Sequence, residues 1–240
     1  MELSKLIEHF SALYGRRNRM YLPNLRGRVD ILMIAVGDLQ KAVRKEMGKV
    51  TCEKALARCV SRTFCIVEHF RELPFVEVVS RKYPSGHCSY CGNLPCDCTE
   101  RRNASKPAEN ADPAQLQWSL GEWQQHFARA YGEKNRARGL ENTINRLFKE
   151  VSEVLSLYME IKEMHTDDSL EDAERKFASE LSDVFAWTIA AAAILEIDLE
   201  NAVLLRYGDG CIACKTRFPC TCTHFDVRPK RWNTADGRPT

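Results

Sequence analysis

Leu147-Phe-Lys-Glu150-Val-Ser-Glu153-Val-Leu155 and Phe177-Ala-Ser-Glu180-Leu-Ser-Asp183-Val-Phe185 decide the reading of this 240-residue chain. In an α-helix, residues i and i+3 share a face. Each stretch therefore carries a two-carboxylate claw, Glu150 with Glu153 and Glu180 with Asp183. The neighbours are apolar: Leu147, Phe148, Val151, Val154 and Leu155 beside the first claw, and Phe177, Leu181, Val184, Phe185 and Ile189 beside the second. An acidic pair on one helix is usually a solvated face. Two pairs set in apolar stripes open a second reading beside it. If the helices face each other the carboxylates repel, and a divalent cation offsets the repulsion. Mg²⁺ takes near-octahedral oxygen, from carboxylates and from substrate phosphates.

The same helical period runs through the chain. It predicts helices over Leu3 to Arg17, Arg28 to Glu46, Cys52 to Glu72 and Phe75 to Tyr83. Gly48 stops the second and Thr51 is a plausible cap for the third. Later helices are expected from Ser119 or Leu120, over Leu140 to Lys162, over Leu170 to Leu195 with a cap at Asp168 or Ser169, and after Asp198. No segment alternates with the period of a strand. The fold class expected is all-α.

The halves resemble each other in order. His9-Phe10 recurs as His126-Phe127, and Tyr14-Gly15 with Asn18-Arg19 recurs as Tyr131-Gly132 with Asn135-Arg136. Phe64 aligns with Phe185, and Tyr83 with Tyr207. Such repetition predicts two copies of one unit: residues 1–98, a polar linker 99–117, residues 118–227 and a tail 228–240. Each copy is expected to be a four-helix bundle followed by a small metal site, with the bundles packed as an internal pseudo-dimer. The acidic claws are not duplicated. Ala35 and Asp38 stand opposite Glu150 and Glu153, and Cys59 and Arg62 opposite Glu180 and Asp183. One half would hold chemistry while the other serves as scaffold.

Eleven cysteines are many, and eight crowd into two clusters. Cys88, Cys91, Cys96 and Cys98 follow Tyr83; Cys211, Cys214, Cys220 and Cys222 follow Tyr207. Pro95 and Pro219 precede the third cysteine of each. Four thiolates at this spacing suit a structural Zn²⁺, with an iron–sulfur cluster as the rival. His87 and His224 flank the clusters and read as spare surface histidines. Cys52, Cys59 and Cys65 read as buried free thiols.

Lys and Arg total 35 against 33 Asp and Glu, a net charge of +2. So small a balance argues against nucleic acid or a membrane surface as the partner. The longest apolar run, Val184 to Leu195, is short for a membrane span, and the first residues lack the apolar core of a secretion signal. A cytoplasmic location is the default expectation.

The paired claws, with the flanks Lys149-Glu-Val-Ser-Glu-Val and Glu180-Leu-Ser-Asp-Val-Phe-Ala and the later Ile197-Asp-Leu-Glu-Asn-Ala, resemble the signature of MazG-like nucleoside triphosphate pyrophosphohydrolases of the all-α NTP pyrophosphatase superfamily. The resemblance covers roughly Trp118 to Tyr207, and the first half looks like a degenerate copy. The cysteine clusters resemble an extension of some members. The resemblance implies a four-helix catalytic unit working as a dimer or tetramer, so that this chain stands alone or pairs into a pseudo-tetramer. It implies hydrolysis of an NTP or dNTP to the monophosphate and pyrophosphate, with Glu150, Glu153, Glu180 and Asp183 holding Mg²⁺. Lys134, Arg136, Lys149 and Arg206 are the basic candidates for the phosphates, and Asn135 for the base or a turn. The rival from another class is a non-enzymatic, zinc-stapled helical scaffold that binds a protein or nucleotide.

Overall fold

The apolar stripes fold as helices that bury them. A computed structural model describes residues 1–70, 74–98, 107–163 and 167–222, without the side chains of 161–163 and 167–173. Among these residues there are eight α-helices and no strand, only an isolated bridge between Glu2 and Ser119. They are α1 (Leu3–Tyr21), α2 (Leu25–Arg44), α3 (Lys49–Val67), α4 (Phe75–Lys82), α5 (Leu120–Arg138), α6 (Leu140–Glu163), α7 (Asp167–Ile194) and α8 (Leu199–Tyr207). Residues 223–240 with His224, residues 99–106 of the linker and the side chains of Asp168 and Ser169 lie outside the described residues.

Caps explain where the bounds depart from the sequence expectations. Asn24 accepts from the Gly27 N–H at 2.9 Å, so α2 starts ahead of Arg28. Gly48 precedes α3, and Thr51 lies in its first turn, donating to the Met47 carbonyl at 2.8 Å rather than capping. That helix ends at Val67, short of the expected Glu72. A capping box of Ser119 and Glu122 opens α5, and Asp198 caps α8. One residue, Gly139, joins α5 to α6 at φ 83°, a conformation that a side chain would strain.

α2 lies on α3 and α6 on α7, while α2 meets α6 and α3 crosses α7. α1 rests on α3, and α5 on α7. The short helices change sides: α4 packs on α7 and α8 packs on α3. At the α3–α7 crossing Phe64 meets Phe185, with ring centroids 6.4 Å apart, and Phe75 of α4 meets Phe185 edge-on at 5.8 Å. One apolar core runs through all eight helices. Glu174–Ile194 of α7 is long and apolar enough to cross a membrane, which the sequence reading of the shorter run missed, but 67% of it is buried in the fold. A core helix enclosed by neighbours has that composition for the same physical reason.

Arg28 is the largest charged group in this core, 1% exposed. It reaches from α2 to the end of α3, donating to the carbonyls of Leu22 (3.1 Å) and Cys65 (2.6 Å) and to the Glu68 carboxylate. Arg19 holds the other Glu68 oxygen at 2.8 Å. Removing one partner of a buried pair strands the other in a poor solvent. Arg28→Met is expected to destabilise the protein by about 3 kcal/mol in urea unfolding, more than the same change at exposed Arg26.

Candidate functional site

α6 and α7 bring Glu150, Glu153 and Glu180 together, with one oxygen from each lying within 4.8 Å of the others. Octahedral Mg²⁺ with bonds of about 2.1 Å separates its ligand oxygens by about 3 to 4.2 Å. Three oxygens gathered to within 4.8 Å could hold one such ion. Glu150 is 2% exposed, on the buried stripe of α6. Burial, then Glu153 and Asp183, pushes its carboxyl up to about 8. Glu180 is raised by burial and by Asp183 and Glu153, against the opposing pull of Lys82 and Lys149. A cation held among these carboxyls would act in the opposite direction, favouring their charged forms.

Asp183 does not join the three. It lies one turn along α7 from Glu180, and both its oxygens are held by the first half. Tyr83 donates its hydroxyl to Oδ1, and Lys82 Nζ lies 2.9 Å from Oδ2. Lys82 also donates to the Ser179 carbonyl at 2.8 Å and to Ser179 Oγ at 2.9 Å. Neither Lys82 nor Tyr83 was among the sequence candidates. Their signal was the alignment of Tyr83 with Tyr207, which sets Lys82 opposite Arg206. Only the crossing of α4 onto α7 reveals which acid they reach.

Beside Asp183 a cavity of about 110 Å³ opens to solvent. Phe127, Tyr131, Asn135 and Arg138 of α5 and Asp183 and Trp187 of α7 line one side. Tyr83, Tyr90 and the first cysteine cluster, all from the first half, line the other. Arg138 lies over the Trp187 ring at 4.9 Å and donates to Asn135 Oδ1 at 2.8 Å. The matching place in the other half, among Phe10, Tyr14, Asn18, Arg62 and Cys65, encloses essentially no free volume. Arg62 stands there in the position of Asp183, and Glu68, tied to Arg28, closes the space. Ala35 and Cys59, opposite Glu150 and Glu180, are wholly buried, and burial pushes the Cys59 thiol up to about 12.

The expected basic residues are scattered. Lys149 pairs with Glu153 one turn away. Lys134 lines the cavity and donates to the Cys98 carbonyl and toward Cys96 Sγ at 3.7 Å. Arg136 is exposed on α5. Arg206 lies over the Tyr207 ring and donates to its hydroxyl at 3.2 Å. That ring packs on Phe10 and Tyr14 at 5.2 and 6.1 Å, so Arg206 serves the α1–α3 side, away from the claws. Of the aromatic residues, Trp123 is fully buried and belongs to the core, while Tyr131 reaches the cavity.

Each cysteine cluster gathers four sulfurs within 4.8 Å. Cys88 and Cys98 are 3.9 Å apart, and Cys211–Cys222 and Cys214–Cys220 are both 3.7 Å apart. A tetrahedral Zn²⁺ with bonds of about 2.3 Å spaces its sulfurs by about 3.8 Å. Both clusters are thus compatible with zinc. They share one backbone design: the Gly92 N–H reaches the Cys88 carbonyl at 2.8 Å, and the Lys215 N–H reaches that of Cys211 at 2.9 Å. Each docks on the opposite half, through Cys96 N–H to the Ala130 carbonyl and Cys220 N–H to the Leu13 carbonyl, both 2.8 Å.

Comparison with known protein families, curated proteins and solved structures gives no match to this chain. The geometry of the site is what speaks for its chemistry.

The Glu150 shift has a consequence for stability. Its folded value, about 8, lies above the 4.5 of an ordinary glutamic acid. The stability carried by its proton is complete below pH 4.5 and is lost as pH rises toward 8. Without added divalent cations, urea unfolding of the wild type is expected to show stability falling across that window. Glu150→Gln flattens this part of the profile and is the more stable protein at pH 8.

Proposed function

We propose that the chain is a MazG-like pyrophosphohydrolase that cleaves a nucleoside triphosphate to the monophosphate and pyrophosphate. The observation that carries this reading is the gathering of Glu150, Glu153 and Glu180 one helical turn from Asp183, which lines an aromatic cavity. Glu150, buried and raised by its acidic neighbours, would be expected to give way to an apolar residue if it had no such task.

The arrangement divides the work. The three glutamates would hold magnesium, joined by Asp183 where it leaves Lys82 and Tyr83, and the ion would supply positive charge against the triphosphate. Glu153, half-buried at the rim, orients a water and takes its proton, whereas enclosed Glu150 has little room for one. The water oxygen bonds to the α-phosphorus, the bond from that phosphorus to the α–β bridging oxygen breaks, and pyrophosphate leaves with the electron pair. Tyr131, Trp187 and Tyr90 offer ring faces to a base, and Arg138 with Asn135 offers polar contacts at its edge.

On this reading the protein is an internal pseudo-dimer of two related four-helix units. The second unit holds the acids, and the first completes the cavity as a second subunit would. Each cysteine cluster holds one structural zinc that fastens its loop to the opposite unit.

Incubation with each NTP and dNTP plus Mg²⁺ is expected to release pyrophosphate and monophosphate in equal amounts for at least one of them. Glu150→Gln and Glu180→Gln each lower kcat by about two orders of magnitude or more. Trp187→Ala raises KM more than it lowers kcat. If no nucleotide is cleaved and the acid variants behave as wild type, the hydrolase reading fails.

Metal analysis is expected to find zinc bound to both clusters. Cobalt substitution then gives the intense visible bands of tetrahedral thiolate coordination, and an iron–sulfur chromophore in the purified protein would overturn the zinc assignment.

A further inference from the structure

Lys82 crosses from the first half and ends against the acids of the second. Its ammonium group has three N–H donors, and three acceptors surround it: Asp183 Oδ2 at 2.9 Å, the Ser179 carbonyl at 2.8 Å and Ser179 Oγ at 2.9 Å. The side chain is 12% exposed. Ser179 and Asp183 flank Glu180 on α7, so the ammonium lies along the edge of the carboxylate group. Tyr83, the next residue, holds the other Asp183 oxygen. The aligned residue on the other side, Arg206, makes no such approach to α3: Arg62 stands there in the place of an acid, and Arg206 turns onto Tyr207. The cation is deployed where the acids are.

We propose that Lys82 is a built-in counter-ion that competes with the divalent cation for Asp183. This inference rests on the metal site proposed above. Three acids stay grouped while the fourth is held out by an ammonium and a hydroxyl. A divalent ion drawn to the group meets a positive charge already at Asp183, and like charges at such range repel. Full coordination by the four acids requires the Lys82–Asp183 bridge to open. The first half thereby sets how tightly the second half holds its metal, which goes beyond lining the cavity.

The test is calorimetric titration of Mg²⁺ and of Mn²⁺ into the full-length protein without nucleotide. Lys82→Met and Lys82→Gln are expected to bind either ion about tenfold more tightly, while Lys82→Arg stays near wild type. A purely structural Lys82 would instead give unchanged or weaker binding in both neutral variants, and that result overturns the proposal. A second readout needs no variant. Acylation of wild-type lysines, followed by mass spectrometry, is expected to label Lys82 several-fold more once Mg²⁺ is bound; unchanged labelling with Mg²⁺ bound also overturns it. The two readings fail separately. Tighter binding without any nucleotide cleavage sinks the hydrolase and leaves the competition standing, whereas cleavage with unchanged metal affinity does the reverse.

Discussion

The exchange of short helices between the halves is the constraint on which the site depends. α4 lies on α7, and α8 lies on α3. A tyrosine at the end of each short helix packs on an aromatic ring of the opposite half: Tyr83, just after α4, on Phe127 at 4.9 Å, and Tyr207, the last residue of α8, on Phe10 at 5.2 Å. Burying these rings anchors the chain at the point where each cysteine loop begins. Undo the crossing and Asp183 loses both its partners, the cavity loses a wall, and the loops lose their docking carbonyls.

One scaffold geometry yields two different places because charge differs within it. On the α5–α7 side, acids sit in a low-dielectric setting and their protons are held more tightly than in water. That side keeps an opening. On the α1–α3 side, Arg62 and Glu68 line the equivalent space, with Glu68 bonded to both Arg28 and Arg19. A cavity filled by its own ion pair gains stability from the pair only because both partners are there, and it has no room for a ligand.

The cysteine loops follow a different logic. Residues 83–98 and 207–222 contain few large apolar side chains, so hydrophobic burial alone gives them little reason to hold one shape. Gathered sulfurs and a single backbone hydrogen bond to the opposite half fix them instead. The first loop also forms cavity wall through Cys88, Tyr90, Cys96 and Cys98. A device for holding a loop therefore becomes part of a surface that a ligand would meet.

The helices, their approximate bounds, the cysteine groupings and the acidic claws were legible in the sequence because each is local. A helical period, a glycine or a C-x-x-C spacing acts within a few residues. Glu150, Glu153 and Glu180 were named on spacing alone, and α6 against α7 brings them together. Helix starts were less legible: Asn24 caps α2 ahead of the expected start at Arg28, and Gly48, with no side chain to cap, precedes α3 in place of Thr51, because backbone geometry decides where the first turn begins.

Tertiary structure alone decided the partners of Asp183. By sequence position Arg206 was the natural basic residue for the second half's acids, and Lys82 belonged to the other copy. Periodicity fixes which face of a helix is buried but not which of two similar grooves receives it. The halves present similar apolar faces, so the choice rests on long-range packing of α4 against α7. The sequence by itself determined an all-helical chain with two acidic claws and two sets of four thiols; the fold alone decided that three of the four acids would gather and that the first half's lysine and tyrosine would stand at the fourth.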